Sequence, residues 1–149
     1  MNVKRQITPT ITVGDQPTEE DLKSLRREGC AAIVNVRNDG EPDQPLSTAA
    51  EGEQVRALGM DYLHVGVGGA PLTADKVSAL CAFLDKHATN QVLVHCRKGG
   101  RAVGMVVLRQ ALKERWAPAD VGAKSLAMGL QLEDGLRTMI ENYLSAPQA

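Results

Sequence analysis

The chain has 149 residues, 17 Lys and Arg against 18 Asp and Glu, and a formal net charge of −1. That length suits one domain, residues 1–149, with a full hydrophobic core. The near-zero charge gives no electrostatic case for nucleic acid or an anionic membrane as partner. Aromatic residues are 3% of the total, too few to offer stacking platforms for bases.

No apolar run approaches the roughly 18 residues of a membrane span. The opening Met1-Asn-Val-Lys-Arg-Gln lacks the apolar stretch of a secretory signal. Cys30, Cys81 and Cys96 are widely spaced with no CxxC pair. That argues against zinc or a disulfide framework, and predicts a reducing, cytoplasmic setting with no metal or other cofactor.

Strands and helices alternate along the chain, the pattern of an α/β fold with a largely parallel central sheet flanked by helices. Thr10–Val13 is a short first strand. Gly14-Asp-Gln-Pro17 turns into a helix over Glu19–Glu28, with Thr18 as N-cap, Asp21 completing a capping box and Gly29 as the stop. Ala31–Val36 is a buried strand, apolar but for Asn35, and Arg37–Pro45 is a turn-rich loop. A helix runs from Ser47 to Leu58 and ends at Gly59. Tyr62–Val67 is a strand followed by the loop Gly68–Pro71, and Thr73 caps a helix to Lys86.

Val92–Val94 is the central strand, and the helix opened by Arg101 follows it. Pro118 precedes helical stretches at Ala119–Ala127 and Leu132–Leu144, and the tail after Ser145 is expected to fray. His64 reads as a packed core histidine and His87 as a surface residue near a helix C-terminus. Cys30 and Cys81 read as core packing, and Asp75 as a first-turn helix residue. In such a sheet, ligands bind beyond the carboxyl ends of the strands. The loops after Val36, Val67 and His95 are therefore expected to share one rim.

The segment Val92-Leu-Val-His-Cys-Arg-Lys-Gly-Gly-Arg101 carries the chemistry. A thiol on a glycine-rich turn at a helix N-terminus lies where backbone N–H groups converge and the helix dipole is positive. This is an anion cradle with a nucleophile at its floor. The nucleophile is the thiolate, only a few per cent populated in a free cysteine at neutral pH. Loop N–H groups and the charge of Arg101 must therefore stabilise the anion. Arg101 can also grip an oxyanion through two parallel N–H bonds, which Lys could not. Arg97 and Lys98 add positive potential at the rim, Gly99 and Gly100 let backbone approach the anion, and His95 orients the loop. Arg37 reaches the same rim from the first loop as a further substrate-binding residue.

Val94-His95-Cys96…Arg101 resembles the P-loop of cysteine-dependent dual-specificity phosphatases. Ile33-Val-Asn-Val-Arg37, Asp39-Gly-Glu41 and Gly14-Asp-Gln-Pro17 resemble something narrower. They are similar to the bacterial phosphatase-like domain that also occurs fused to metallo-β-lactamase-type hydrolases. The likeness runs from Ile7 to Gly104. It implies a phosphatase-like α/β fold, Cys96 as nucleophile, Arg101 as anion-binding residue, and a small oxyanion or phosphorylated substrate.

Three departures from the phosphatase pattern bear on mechanism. That loop has five residues between Cys and Arg, whereas here there are four, the spacing of rhodanese sulfurtransferases. The Ser or Thr that follows the Arg is Ala102. The loop after the third strand, Gly66-Val-Gly-Gly-Ala-Pro-Leu72, lacks the Asp that serves as general acid. Asp39 is the first choice to replace it, followed by Glu41 and Asp43. The leading reading is hydrolysis of an aryl phosphoester through a phospho-cysteine at Cys96. A sulfurtransferase carrying a Cys96 persulfide and a non-catalytic oxyanion-binding module are the alternatives.

Overall fold

A computed structural model describes residues 1–146; the last residues of the tail expected to fray, 147–149, lie outside the described residues. Five strands form one sheet: β1 (Lys4–Gln6), β2 (Ile11–Gly14), β3 (Cys30–Asn35), β4 (Asp61–His64) and β5 (Gln91–His95), in the order β1-β2-β5-β3-β4. Only the β1–β2 pair is antiparallel; β2–β5, β5–β3 and β3–β4 are parallel. The register sets Val13 beside Val94 and Asn35 beside His95, so β2, β5 and β3 end at one level.

The central strands are apolar on both faces because both faces are covered. Ile33 and Leu93 point to one side, where they pack with Leu22 and Leu25 of α1 (Glu19–Arg27) and Val55 of α2 (Thr48–Ala57). Ala32, Val34, Val92 and Val94 point to the other. There they meet α3 (Ala74–Lys86), α4 (Gly100–Glu114), α5 (Val121–Ala127) and α6 (Asp134–Ser145). Thr18 and Asp21 make the expected reciprocal capping box of α1, and Ser47 and Thr73 cap α2 and α3. No helix among the described residues is long and apolar enough to cross a membrane.

The structure corrects the sequence reading in four places. Lys4–Gln6 is a strand although all three side chains are polar and exposed; an edge strand needs no buried face, and basic residues blunt such edges. The strand expected to reach Val67 ends at His64. Beyond it, single bonds from Val65 N–H to the Asn35 carbonyl and from Val67 N–H to the Val36 carbonyl guide an irregular segment.

His87 is buried, not on the surface. Its Nε2 is 2.9 Å from Asp61 Oδ2, and its ring centroid is 4.9 Å from that of Phe83. His64 is exposed rather than packed in the core, with its Nε2 2.6 Å from the Arg37 carbonyl. Cys30 is buried and Cys81 half-buried, and burial pushes both thiols up.

One close approach places α6 across α4. A Cβ built at Gly104 would stand 2.5 Å from Leu136 Cδ2 and 2.8 Å from its Cγ. Overpacking of a core costs typically 1–3 kcal/mol, against about 1 kcal/mol gained when Ala replaces Gly in a helix. Gly104→Ala is therefore expected to lower stability by about 1 kcal/mol net. A urea midpoint at or above the wild-type value would show that α6 yields freely.

Candidate active site

The loop between β5 and α4 has its geometry fixed by glycine and by its neighbours. Gly99 caps α4 at φ 106°, a left-handed conformation that side chains rarely adopt. The Cys96 N–H donates to the Gly14 carbonyl at 3.3 Å, and the Gln16 N–H donates to the Arg97 carbonyl at 3.4 Å. The turn after β2 thus brackets the loop.

Within the loop the Gly99 N–H donates to Cys96 Sγ at 3.0 Å. Gly100 and Arg101 open a helix of 15 residues, so their N–H groups have no acceptor in their own helix. A cavity of about 280 Å³ lies over this turn, lined by Cys96, Arg97, Lys98, Gly100, Arg101 and Glu133. A larger cleft of about 620 Å³ lies between the 69–72 segment and α6. Among the described residues it is lined by no cysteine, lysine or arginine.

Arg101 is anchored by one side of its guanidinium. Its Nη1 donates to Glu41 Oε2 at 2.8 Å and to the Val67 carbonyl at 2.9 Å, and its Nη2 donates to Glu41 Oε1 at 2.7 Å. A guanidinium has five N–H groups. The Nε–H and the second Nη2–H therefore remain, as a fork on the other edge. Bonds to Glu41, and after them the charge of Glu41 and the nearby Cys96 sulfur, favour the charged guanidinium.

Glu41 also accepts from Arg37 Nε at 3.1 Å and from the Asn38 N–H at 2.7 Å. The bond from Arg101 comes first among the causes that hold its carboxyl at about 2. A continuous polar chain runs beneath the loop. His95 Nε2 lies 2.7 Å from Glu51 Oε2, Gln16 donates to Glu51 Oε1 at 2.8 Å, and Arg37 Nη1 donates to Gln16 at 2.9 Å. From Arg37 it passes through Glu41 to Arg101.

The sequence-predicted residues divide accordingly. Cys96, Arg97, Lys98, Gly100 and Arg101 share one cavity, and Gly99 shapes it. Arg97 also donates to Asp43 at 2.7 Å, and this pairing holds the Asp43 carboxyl below the usual range.

Arg37, expected to bind substrate directly, is fully buried. Its donors are taken by Glu41, Gln16 and the carbonyls of Pro42 and Asp43, so it supports the loop from behind. Asp39, the first-choice proton donor, accepts from the Thr48 N–H at 2.8 Å and from its Oγ1 at 3.0 Å, and so caps α2. Those bonds stabilise the anion and lower its carboxyl, which makes it a poor acid where it stands.

Glu51, Gln16 and Glu133 are residues the sequence reading missed. Glu51 had one available signal: it lies with Thr48, Gly52 and Val55 on the helix face that α2 buries. A carboxylate at that spacing asks for a buried partner.

Removing the charge of Glu41 leaves the buried Arg37 without its counterion. Glu41→Gln is expected to cost about 3 kcal/mol near neutral pH, the scale for breaking one half of a buried pair. A depressed folded-state carboxyl stabilises above its unfolded value and ceases to do so as pH falls. The difference between variant and wild type should thus shrink between about 4.5 and about 2. Denaturant melts across that range check it, and a pH-independent difference would contradict the role of the charge.

Comparison with known proteins places these features in a family. Residues 4–113 match the phosphatase-like domain of beta-lactamase hydrolase-like proteins. A beta-lactamase hydrolase-like protein of Agrobacterium fabrum is 35% identical over 117 residues, which cover 78% of this chain. The matched region is only 27% of that relative's length.

Among solved structures, a DUF442 protein from Shewanella putrefaciens CN-32 superposes with a TM-score of 0.72 at 23% identity, covering 95% of this chain and 90% of that one. PTPMT1 superposes with a TM-score of 0.73 at 16% identity, covering 95% and 94%. These structures share the fold of β1–β5 and the helices around it. The chain belongs to the phosphatase-like domain family of the beta-lactamase hydrolase-like proteins.

Proposed function

We propose that this domain hydrolyses phosphoesters through a covalent phospho-cysteine at Cys96. The observation that carries the reading is the loop itself: the Gly99 N–H donates to Cys96 Sγ, and Arg101, tied to Glu41 through Nη1 and Nη2, lies against the same sulfur. The thiolate attacks phosphorus, the S–P bond forms and the ester P–O bond breaks. Water then attacks phosphorus, the S–P bond breaks, and inorganic phosphate leaves with the thiolate restored.

Equatorial phosphoryl oxygens bind the N–H groups of the loop and the open edge of Arg101, where charge-assisted bonds are strongest. Arg97 and Lys98 hold positive potential over the cavity mouth. Gly99 and Gly100 give the anion access to backbone, and His95, tied to Glu51, keeps the strand end in place. Two places where a general acid was expected supply none. The segment after β4 has no carboxylate, and Asp39 is engaged by Thr48. A poor leaving group loses about 10²–10⁴-fold without a general acid.

The four-residue spacing from Cys96 to Arg101 favours a second reading, transfer of a sulfane sulfur carried as a Cys96 persulfide. Assaying the purified chain on an aryl phosphate, and on thiosulfate with cyanide, separates the two. The phosphatase reading expects release of inorganic phosphate, abolished in Cys96→Ser, and negligible thiocyanate. Arg101→Lys should retain the charge but lose the fork, weakening binding of inorganic phosphate by about 1.5–3 kcal/mol. Thiocyanate production without phosphate release would transfer the assignment to sulfur chemistry. Phosphate binding without either turnover would make the domain an oxyanion-binding module.

A further inference from the structure

The cavity over Cys96 contains one carboxylate, and it comes from the far end of the chain. Glu133 is the residue before α6, exposed, and it lines the cavity with Cys96, Arg97, Lys98, Gly100 and Arg101. Its Oε1 lies 4.0 Å from the position a Cβ would take at Gly100, directly over the first turn of α4. Among the described residues its side chain makes no capping bond and no ion pair.

The other carboxylates near the loop are committed elsewhere. Glu41 is ionised between Arg37 and Arg101, Asp43 is paired with Arg97, and Asp39 caps α2. Glu133 is free to meet a group bound in the cradle.

We propose that Glu133 is the proton-transfer residue of this site, donating to the leaving oxygen in the first step and accepting from water in the second. The inference rests on the phosphatase reading and completes its proton balance. In the first step the Glu133 carboxyl gives its proton to the ester oxygen as the P–O bond breaks, so the alcohol or phenol leaves neutral. In the second the resulting carboxylate takes a proton from water as the water oxygen attacks phosphorus and the S–P bond breaks. The carboxyl is regenerated and nothing else is consumed.

The groups facing Glu133 are Cys96, Arg97, Lys98 and Arg101 from the loop, with Glu41 behind Arg101, and Asp134 and Arg137 on its own helix. In the complex the phosphoryl oxygens stand among these cations.

The test uses the whole chain with 4-nitrophenyl phosphate, whose leaving group needs little acid, and a simple alkyl phosphate, whose leaving group needs much. Glu133→Gln should lower kcat on the alkyl ester by about 10²–10⁴-fold. Release of the first nitrophenolate should change little, while later turnovers slow and leave a visible burst. The descending limb of the alkyl pH profile should vanish in Glu133→Gln, and Glu133→Asp should restore part of both activity and profile.

Equal losses of the first-turnover rate on the two esters with an unchanged pH profile would overturn the inference and leave Glu133 a surface residue. So would unaltered rates on both. Wild-type protein that hydrolyses neither ester would sink the phosphatase reading itself, a failure distinct from that of Glu133.

Discussion

The Glu41 carboxylate is the constraint on which the site depends. It stands between two guanidinium groups, one fully buried and one at the cavity, and satisfies both at 2.7–3.1 Å. Without it Arg37 would be a buried charge with no counterion, an arrangement that costs several kcal/mol. With it, Arg101 is held by its outer edge and presents its inner edge to the loop. The same contact therefore stabilises the fold and orients the Arg101 guanidinium. The polar chain from His95 through Glu51, Gln16 and Arg37 extends this control to the residue before Cys96. Each member has its polar atoms matched, which makes such a network rigid.

What was legible in the sequence follows from how local each signal is. The strand-loop-helix around Cys96 is contiguous, so its residues arrive at the cavity together. Period-2 and period-3.6 patterns with their caps placed α1, α2 and α3 to within a residue or two, because capping chemistry is local. Lys4–Gln6 was illegible because an edge strand carries no apolar alternation. His64 and His87 exchanged environments because burial of one polar residue depends on a partner elsewhere. Asp61 supplies that partner for His87, at the end of α3, from the first position of β4. Arg37 and Glu133 failed in opposite directions for the same reason. One lies near the motif but turns into the core, and the other lies far along the chain but returns over the loop.

The shortened loop and Ala102 pull against the likeness to phosphatases. A loop with one residue fewer presents fewer N–H groups, so in the proposed cycle Arg101 carries a larger share of the oxyanion grip. This makes the division of the Arg101 guanidinium more consequential than it would be in a longer loop. Ala102, fully buried against the core, puts a methyl where the phosphatase pattern has a hydroxyl. In the proposed cycle that lack slows the second half, breakdown of the covalent intermediate. The larger apolar cleft beside the 69–72 segment contributes no charge to either half.

The most direct measurement is a crystal structure of the protein soaked with tungstate, a tetrahedral oxyanion the size of the group to be transferred. The account predicts the anion above Cys96, bonded to loop N–H groups and to Nε and Nη2 of Arg101, with Glu41 still on Nη1 and Nη2. An anion that displaces Glu41 from Arg101, or that occupies another surface and leaves the loop empty, would contradict it.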